Sequence, residues 1–172
     1  MIKIGLLSDT HGFIHPRVSD FFSGCDEIWH AGDIGNQETA DLLSKIKPLR
    51  AVFGNIDGGT LRQSFQEVEF FKCEQVKVLM IHIGGYPGRY DPKARKLIEE
   101  YQPGIFISGH SHILKVIYDK KYQLLHMNPG SAGKSGMHKL ITMIRFVIDG
   151  KDIRDLEIFE VKRSNAIGQQ SE

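Results

Sequence analysis

The chain has 172 residues, 41% of them hydrophobic and 25% charged, with 22 basic and 21 acidic side chains and a net charge of +1. That length suffices for one well-buried core, and the balance excludes a strongly basic nucleic-acid clamp or an acidic disordered tail as the chain's main business. Two cysteines, Cys25 and Cys73, exclude a disulfide framework and a four-sulfur zinc site.

No stretch approaches the roughly 18 consecutive apolar residues of a membrane span. The opening run Met1–Leu7 turns polar at Ser8-Asp9-Thr10-His11, too soon for a signal peptide, so a cytoplasmic protein is expected. Ile2–Leu7 is a predicted strand, followed by a helix around Pro16–Phe22 whose early proline forfeits no helical hydrogen bond. Glu27–His30 is the next strand. Gln37–Ile46 is a helix with Leu42, Leu43 and Ile46 on one face. Arg50–Phe53, Val76–Ile81 and Ile105–Ser108 are further strands, with a helix over Ala94–Tyr101.

The second half changes character. Leu114–Tyr118, Gln123–His126, Leu140–Ile148 and Ile153–Val161 are strands separated by turns, and Asp149-Gly150 is a strong hairpin signal. A helix-covered sheet from the first half should therefore stack on a mostly antiparallel sheet from the second. The predicted fold is a four-layer α/β/β/α sandwich of two mixed sheets, one domain over 1–162, with a loose tail at 163–172.

Five of the apolar runs end in metal-capable residues. They are Asp9-Thr10-His11, Gly32-Asp33, Gly54-Asn55, His82, and Gly109-His110-Ser111-His112. Ligands of α/β sheets bind at the carboxyl ends of strands, so all five tips can face one crevice. In an extended segment residues i and i+2 share a side, which pairs Asp9 with His11 and His110 with His112. Taken singly, each has a plainer role as a cap, a turn or a core histidine. Together, Asp9, His11, Asp33, Asn55, His82, His110 and His112 offer more donors than one tetrahedral ion uses. Two ions sharing a carboxylate fit the count, and such pairs serve many phosphatases and nucleases. With only two carboxylates and a bridging hydroxide the pair keeps a net charge of about +1, suited to an anionic substrate. Sulfur-free, imidazole-rich ligation favours manganese, with zinc, iron, cobalt or nickel as alternatives, over calcium or magnesium. Of the other histidines, His15 should begin a helix, and His126 and His138 should face solvent or support the ligands. His30 is placed to hydrogen-bond a ligand from behind.

These motifs, followed by Asn128-Pro129-Gly130-Ser131, resemble those of the calcineurin-like metallophosphoesterases, in particular their small bacterial and archaeal phosphodiesterase branch. The resemblance implies one ion held by Asp9, His11, Asp33 and His112, and a second by Asp33, Asn55, His82 and His110, with Asp33 bridging. It implies a phosphodiesterase that uses the metal-bridging hydroxide as nucleophile on a small phosphate ester. Neither a membrane nor a nucleic acid is indicated as a partner, and a homo-oligomer is compatible with the sequence. Many family members follow Gly-Asn with a proton-donating histidine. Here Ile56 and Asp57 follow, leaving Asp57 as a weak candidate acid. Asn55 and Arg89 are candidate substrate contacts. The rival reading is a scaffold, since the branch also resembles the metallophosphoesterase-like subunit of the retromer coat.

Overall fold

The computed structural model describes residues 1–164, and the predicted loose tail falls almost wholly outside them. The chain begins with β1 (Ile2–Leu7), α1 (Val18–Phe21), β2 (Glu27–His30), α2 (Gln37–Ile46) and β3 (Leu49–Ala51). It continues through α3 (Gly59–Ser64), β4 (Val68–Cys73), β5 (Val76–Ile81) and a small hairpin, β6 (Gly85–Tyr86) and β7 (Arg89–Tyr90). Then come α4 (Pro92–Tyr101), β8 (Ile105–Ile107), β9 (Leu114–Asp119), β10 (Leu124–Pro129), β11 (Leu140–Asp149) and β12 (Asp152–Lys162). Local chemistry sets several bounds. Asn36 caps α2 by accepting the Thr39 N–H at 2.8 Å, and Asp91 caps α4 with Pro92 at its first position.

One sheet has the order β12-β11-β1-β2-β3 and the other β4-β5-β8-β10-β9. This corrects the expected division of the chain into an N-terminal and a C-terminal sheet. β11 leaves the second half and pairs antiparallel with β1, Ile2 opposite Ile148, while β4, β5 and β8 join β9 and β10. Local periodicity reports which face of a strand is apolar, not which distant strand lies beside it. Both sheets are mixed, as expected. β1, β2 and β3 run parallel, as do β5, β8 and β10, with antiparallel strands outside them.

Three apolar layers hold the four-layer stack together. Ile4, Leu6, Trp29, Met80, Ile107, Met127 and Phe146 fill the space between the sheets. Leu7, Phe22, Ile28, Leu43 and Met143 pack the first sheet against α1 and α2. Leu79, Ile81, Ala94, Ile98 and Phe106 pack the second against α4. Because the two parallel triplets end on the same rim, the tips of β1, β2, β3, β5 and β8 deliver their loops to one place.

Candidate metal centre

The loops at those tips bend sharply. Asp9, His11, Asp33, His110 and His112 all have positive φ, between 47° and 68°. A non-glycine residue held there costs on the order of 1–3 kcal/mol, and such strain gathers at functional sites. The segments are therefore not extended; Asp9 and His11 still meet in one group, but His110 and His112 do not. Two glycines make the approach possible. A Cβ on Gly54 would collide with Asp33 Oδ1, and one on Gly109 with Ser8 Oγ and the Asp9 carboxylate.

The side chains form two adjoining groups: Asp9, His11 and His112, and Asp33, His82 and His110. His110 and His112 thus part company, as the family resemblance implies and their spacing alone did not. Asp9 Oδ1 lies 3.2 Å from His112 Nε2 and 3.8 Å from His11 Nε2. Asp33 Oδ2 lies 3.2 Å from His82 Nε2 and 3.6 Å from His11 Nε2, so it faces both groups. Asn55 Oδ1 sits 3.1 Å from His110 Nδ1 at the outer side.

Buried Asp9 Oδ1, His11 Nε2 and His82 Nε2 have no hydrogen-bond partner, although they point at one another. Donors sharing an ion at about 2.0–2.2 Å stand roughly 3–4 Å apart, which is the spacing found. The residues fit divalent ions.

The surrounding hydrogen bonds fix the ligands. Asp9 Oδ2 accepts from Ser8 Oγ at 2.6 Å and from the His110 backbone N–H at 3.1 Å, tying the two sheets together. Ser131 Oγ donates to the Asp9 carbonyl, and Asn128 Nδ2 donates to the Gly109 carbonyl. His82 Nδ1 donates to the Ala31 carbonyl at 2.8 Å, leaving Nε2 for an ion. His30 does not reach a ligand side chain. Its Nδ1 accepts the Gly32 N–H, so Nε2 donates to Thr10 Oγ1 at 2.9 Å, bracing the backbone between Asp9 and His11.

Of the two expected places for His138, facing solvent or supporting the ligands, the structure shows the second. Its Nε2 donates to the Gly133 carbonyl at 2.8 Å, so its Nδ1 accepts from His112 Nδ1, 3.2 Å away. Burial lowers the pKa of His138 and favours this neutral form. The relay turns the His112 Nε2 lone pair toward Asp9. Partners of this kind are typically worth about 10–100-fold in metal affinity. His138→Ala is expected to weaken metal binding by that factor, with partial recovery in His138→Asn. Calorimetric titration of both variants with zinc checks it, and an unchanged affinity in His138→Ala contradicts the relay.

Burial works against charge on Asp9 and Asp33, but the neighbouring imidazoles outweigh it and hold both carboxyls below the ordinary range. His11 is raised, chiefly by Asp9. His82 is also raised, because Asp33 and Asp9 outweigh its burial. The carboxylates are thereby kept ionised and ready to bind cations.

Asp57, the weak candidate acid, is buried. Its oxygens accept the N–H groups of Ile34, Gly35 and Gly54 at 2.8–3.0 Å, so it braces the Asp33 and Asn55 loops. Both carboxylate oxygens are thus taken up as acceptors, which makes Asp57 a brace for these loops. Ile56 is 49% exposed. Arg89 is exposed and lines a cavity beside His110. His15 does not itself begin α1, which is capped by Arg17, but accepts the Arg17 N–H from just ahead of it. His126 is fully buried in β10, with neither ring nitrogen partnered.

Two stacked mixed sheets thus present, at their common rim, a histidine-carboxylate cluster able to hold divalent ions. The family model of the calcineurin-like phosphoesterase superfamily domain matches residues 2–151, and the chain belongs to that superfamily. A probable metallophosphoesterase of Methanocaldococcus jannaschii is 35% identical over 134 residues, covering 74% of this chain and 67% of the relative. A predicted phosphoesterase from Streptococcus pneumoniae TIGR4 shares the fold at TM-score 0.68 and 21% identity, covering 95% and 90% of the two chains. Vps29 of Entamoeba histolytica, solved with Zn2+, shares it at TM-score 0.71 and 19% identity, covering 94% and 99%. Family and ligand groups together make this chain a metal-dependent phosphoesterase.

Proposed function

We propose that the chain is a dinuclear phosphoesterase acting chiefly on phosphodiesters of small molecules. The observation that carries this reading is Asp33 Oδ2, which faces His82 of one ligand group and His11 of the other. Asp9, His11, Asp33 and His112 would hold one ion, and Asp33, Asn55, His82 and His110 the second. The nitrogen and oxygen donors suit manganese, with zinc, iron, cobalt or nickel able to replace it. Bound there, such ions supply Lewis acidity toward phosphoryl oxygens and lower the pKa of water.

The chain's own residues do the rest. Asn55 can ligate through its carbonyl oxygen and turn its NH₂ to a phosphate oxygen. Arg89 supplies a second cationic contact from the β7 side. Two cavities flank the centre, sharing Ile83 as a ridge. One, of about 290 Å³, includes His110 in its wall, and the other, of about 320 Å³, includes Asn55 and His82. A phosphate with two ester arms uses both, which favours diesters over monoesters. A retromer-like scaffold needs no such complete donor set. No helix among the described residues is long and apolar enough to cross a membrane, and both cysteines are buried free thiols, in keeping with a cytoplasmic setting.

The experiment is a panel of phosphodiesters and monoesters assayed on metal-stripped protein with and without added manganese. Diester hydrolysis that appears on metal addition is the expected result. Absence of hydrolysis across the panel overturns the reading in favour of the scaffold.

A further inference from the structure

The most unusual group outside the ligand cluster is His126. Strand β10 carries it into the interior between Leu125 and Met127, where its ring stacks on Phe106 at a centroid distance of 5.4 Å. The ring is 0% exposed and neither nitrogen meets a hydrogen-bond partner. A buried polar group left unpaired calls for an explanation. His126 lines the 290 Å³ cavity beside the metal centre, together with Tyr86, Arg89, Tyr90, His110 and Lys115. Tyr90 is anchored by its hydroxyl, which donates to Asp119 Oδ2 at 2.7 Å, and Lys115 Nζ stands 3.8 Å above the Tyr86 ring. A larger hollow near Cys25, of about 530 Å³, is different. Arg145 and Glu157 in its wall are already paired with each other at 2.6 Å.

We propose that this cavity is the specificity pocket for the retained ester arm of the substrate, and that it selects an aromatic ring bearing a hydrogen-bonding group. The inference rests on the phosphoesterase reading above. His110 forms part of both the ligand cluster and the cavity wall, so an arm leaving a phosphate at the centre enters past His110. Tyr86 and Tyr90 offer ring faces and edges for an aromatic arm, and His126 offers the one unsatisfied polar contact at depth. Burial pushes the His126 pKa down to about 4, the Phe106 backbone offsetting only part of this from outside hydrogen-bonding geometry. The ring is therefore neutral at pH 7, with one N–H donor and one acceptor nitrogen. Arg89 and Lys115 favour an arm without positive charge.

The test uses three p-nitrophenyl phosphodiesters whose retained arms are methyl, benzyl and 3-hydroxybenzyl, assayed on manganese-loaded full-length protein. The leaving group is common to all three, so differences in kcat/KM report the arm. Benzyl is expected to exceed methyl by about tenfold, and hydroxybenzyl to exceed benzyl by about fivefold or more, since a site built to hydrogen-bond rejects analogues that cannot. His126→Phe, which keeps the stack on Phe106, should bring the hydroxybenzyl-to-benzyl ratio to about one, and His126→Asn should restore part of it. Tyr86→Ala, at the exposed rim and safe for folding, should lower the benzyl-to-methyl ratio. Ratios near one in the wild type, or a hydroxybenzyl preference that survives His126→Phe, would overturn the pocket. Failure to cleave even the methyl diester would instead overturn the phosphoesterase reading. The pocket is then judged by titrating zinc-loaded protein with 3-hydroxybenzyl phosphate while following the His126 ring nitrogens by NMR. A saturable shift supports it, and no shift overturns it.

Discussion

Asp33→Ala is expected to lower phosphodiester hydrolysis by more than about 10³-fold. A single preorganised electrostatic group is commonly worth about 10²–10³ in rate, and Asp33 serves both ligand groups at once. Its Oδ2 stands 3.2 Å from His82 Nε2 and 3.6 Å from His11 Nε2, while its Oδ1 accepts the Ile56 N–H at 3.1 Å. Removing it deletes the shared oxygen and loosens the loop that presents Asn55. Asp33→Asn separates the two effects, since the amide keeps the shape and an acceptor for Ile56 but loses the charge. Both variants should bind metal more weakly than His110→Ala, which touches one group. Lys151→Ala, in the exposed β11–β12 turn, is the control. His138 does not serve as one because it holds His112. Activity within tenfold of wild type in folded Asp33→Ala, as judged by circular dichroism, contradicts the shared role.

The second large effect concerns the leaving group. Where many relatives by motif place a histidine, this chain has Ile56, half-exposed and unable to give a proton. Asp57 beside it is committed to three backbone N–H groups and braces the loops instead. A departing alkoxide therefore lacks a donor at this position, and general-acid help is typically worth about 10²–10⁴-fold. Aryl diesters, whose leaving groups depart as anions, should be cleaved readily, and alkyl diesters slower by about that factor. Rates for a graded leaving-group series should fall steeply with leaving-group pKa in the wild type, and less steeply in Ile56→His. Asp57→Asn should slow all substrates alike, because an amide cannot accept from three N–H groups as a carboxylate does. A flat wild-type series, or selective loss of alkyl cleavage in Asp57→Asn, would show that a proton donor is present after all.

Much of this was legible in the residues. β1, β2, α2 and β5 have the bounds that periodicity predicts, because the strands are mainly apolar runs closed by polar tips and α2 is an amphipathic stretch capped by Asn36. The seven candidate ligand positions could be picked out because metal-capable side chains stand directly after apolar runs, and six of them meet in two groups in the structure. α3 and β4 were not visible. α3 is six residues long, capped by Gly58 and opening on Gly59, and β4 is an edge strand whose Phe70 is 39% exposed, so neither shows a strong pattern. The joining of β11 to β1 depends on contacts nearly 150 residues apart, as with Ile2 and Ile148, which no local signal encodes.

The supporting residues were the hardest to read. His30, His126 and His138 look alike in the sequence, each a lone histidine near apolar neighbours. In the structure one braces Thr10, one lies unpartnered beside a cavity, and one fixes the tautomer of His112. Only the tertiary arrangement distinguishes them. The left-handed backbone at five ligands is likewise invisible in composition, since aspartate and histidine tolerate it without demanding it.

The central claim is that two ions share Asp33 and that hydrolysis needs both. The direct measurement is a titration of metal-free protein with manganese, reading bound metal and bis(p-nitrophenyl) phosphate hydrolysis at every addition. Two ions per chain at saturation are predicted, with activity rising as the second site fills. Saturation at one ion with full activity, or hydrolysis undiminished in the metal-free protein, would contradict it.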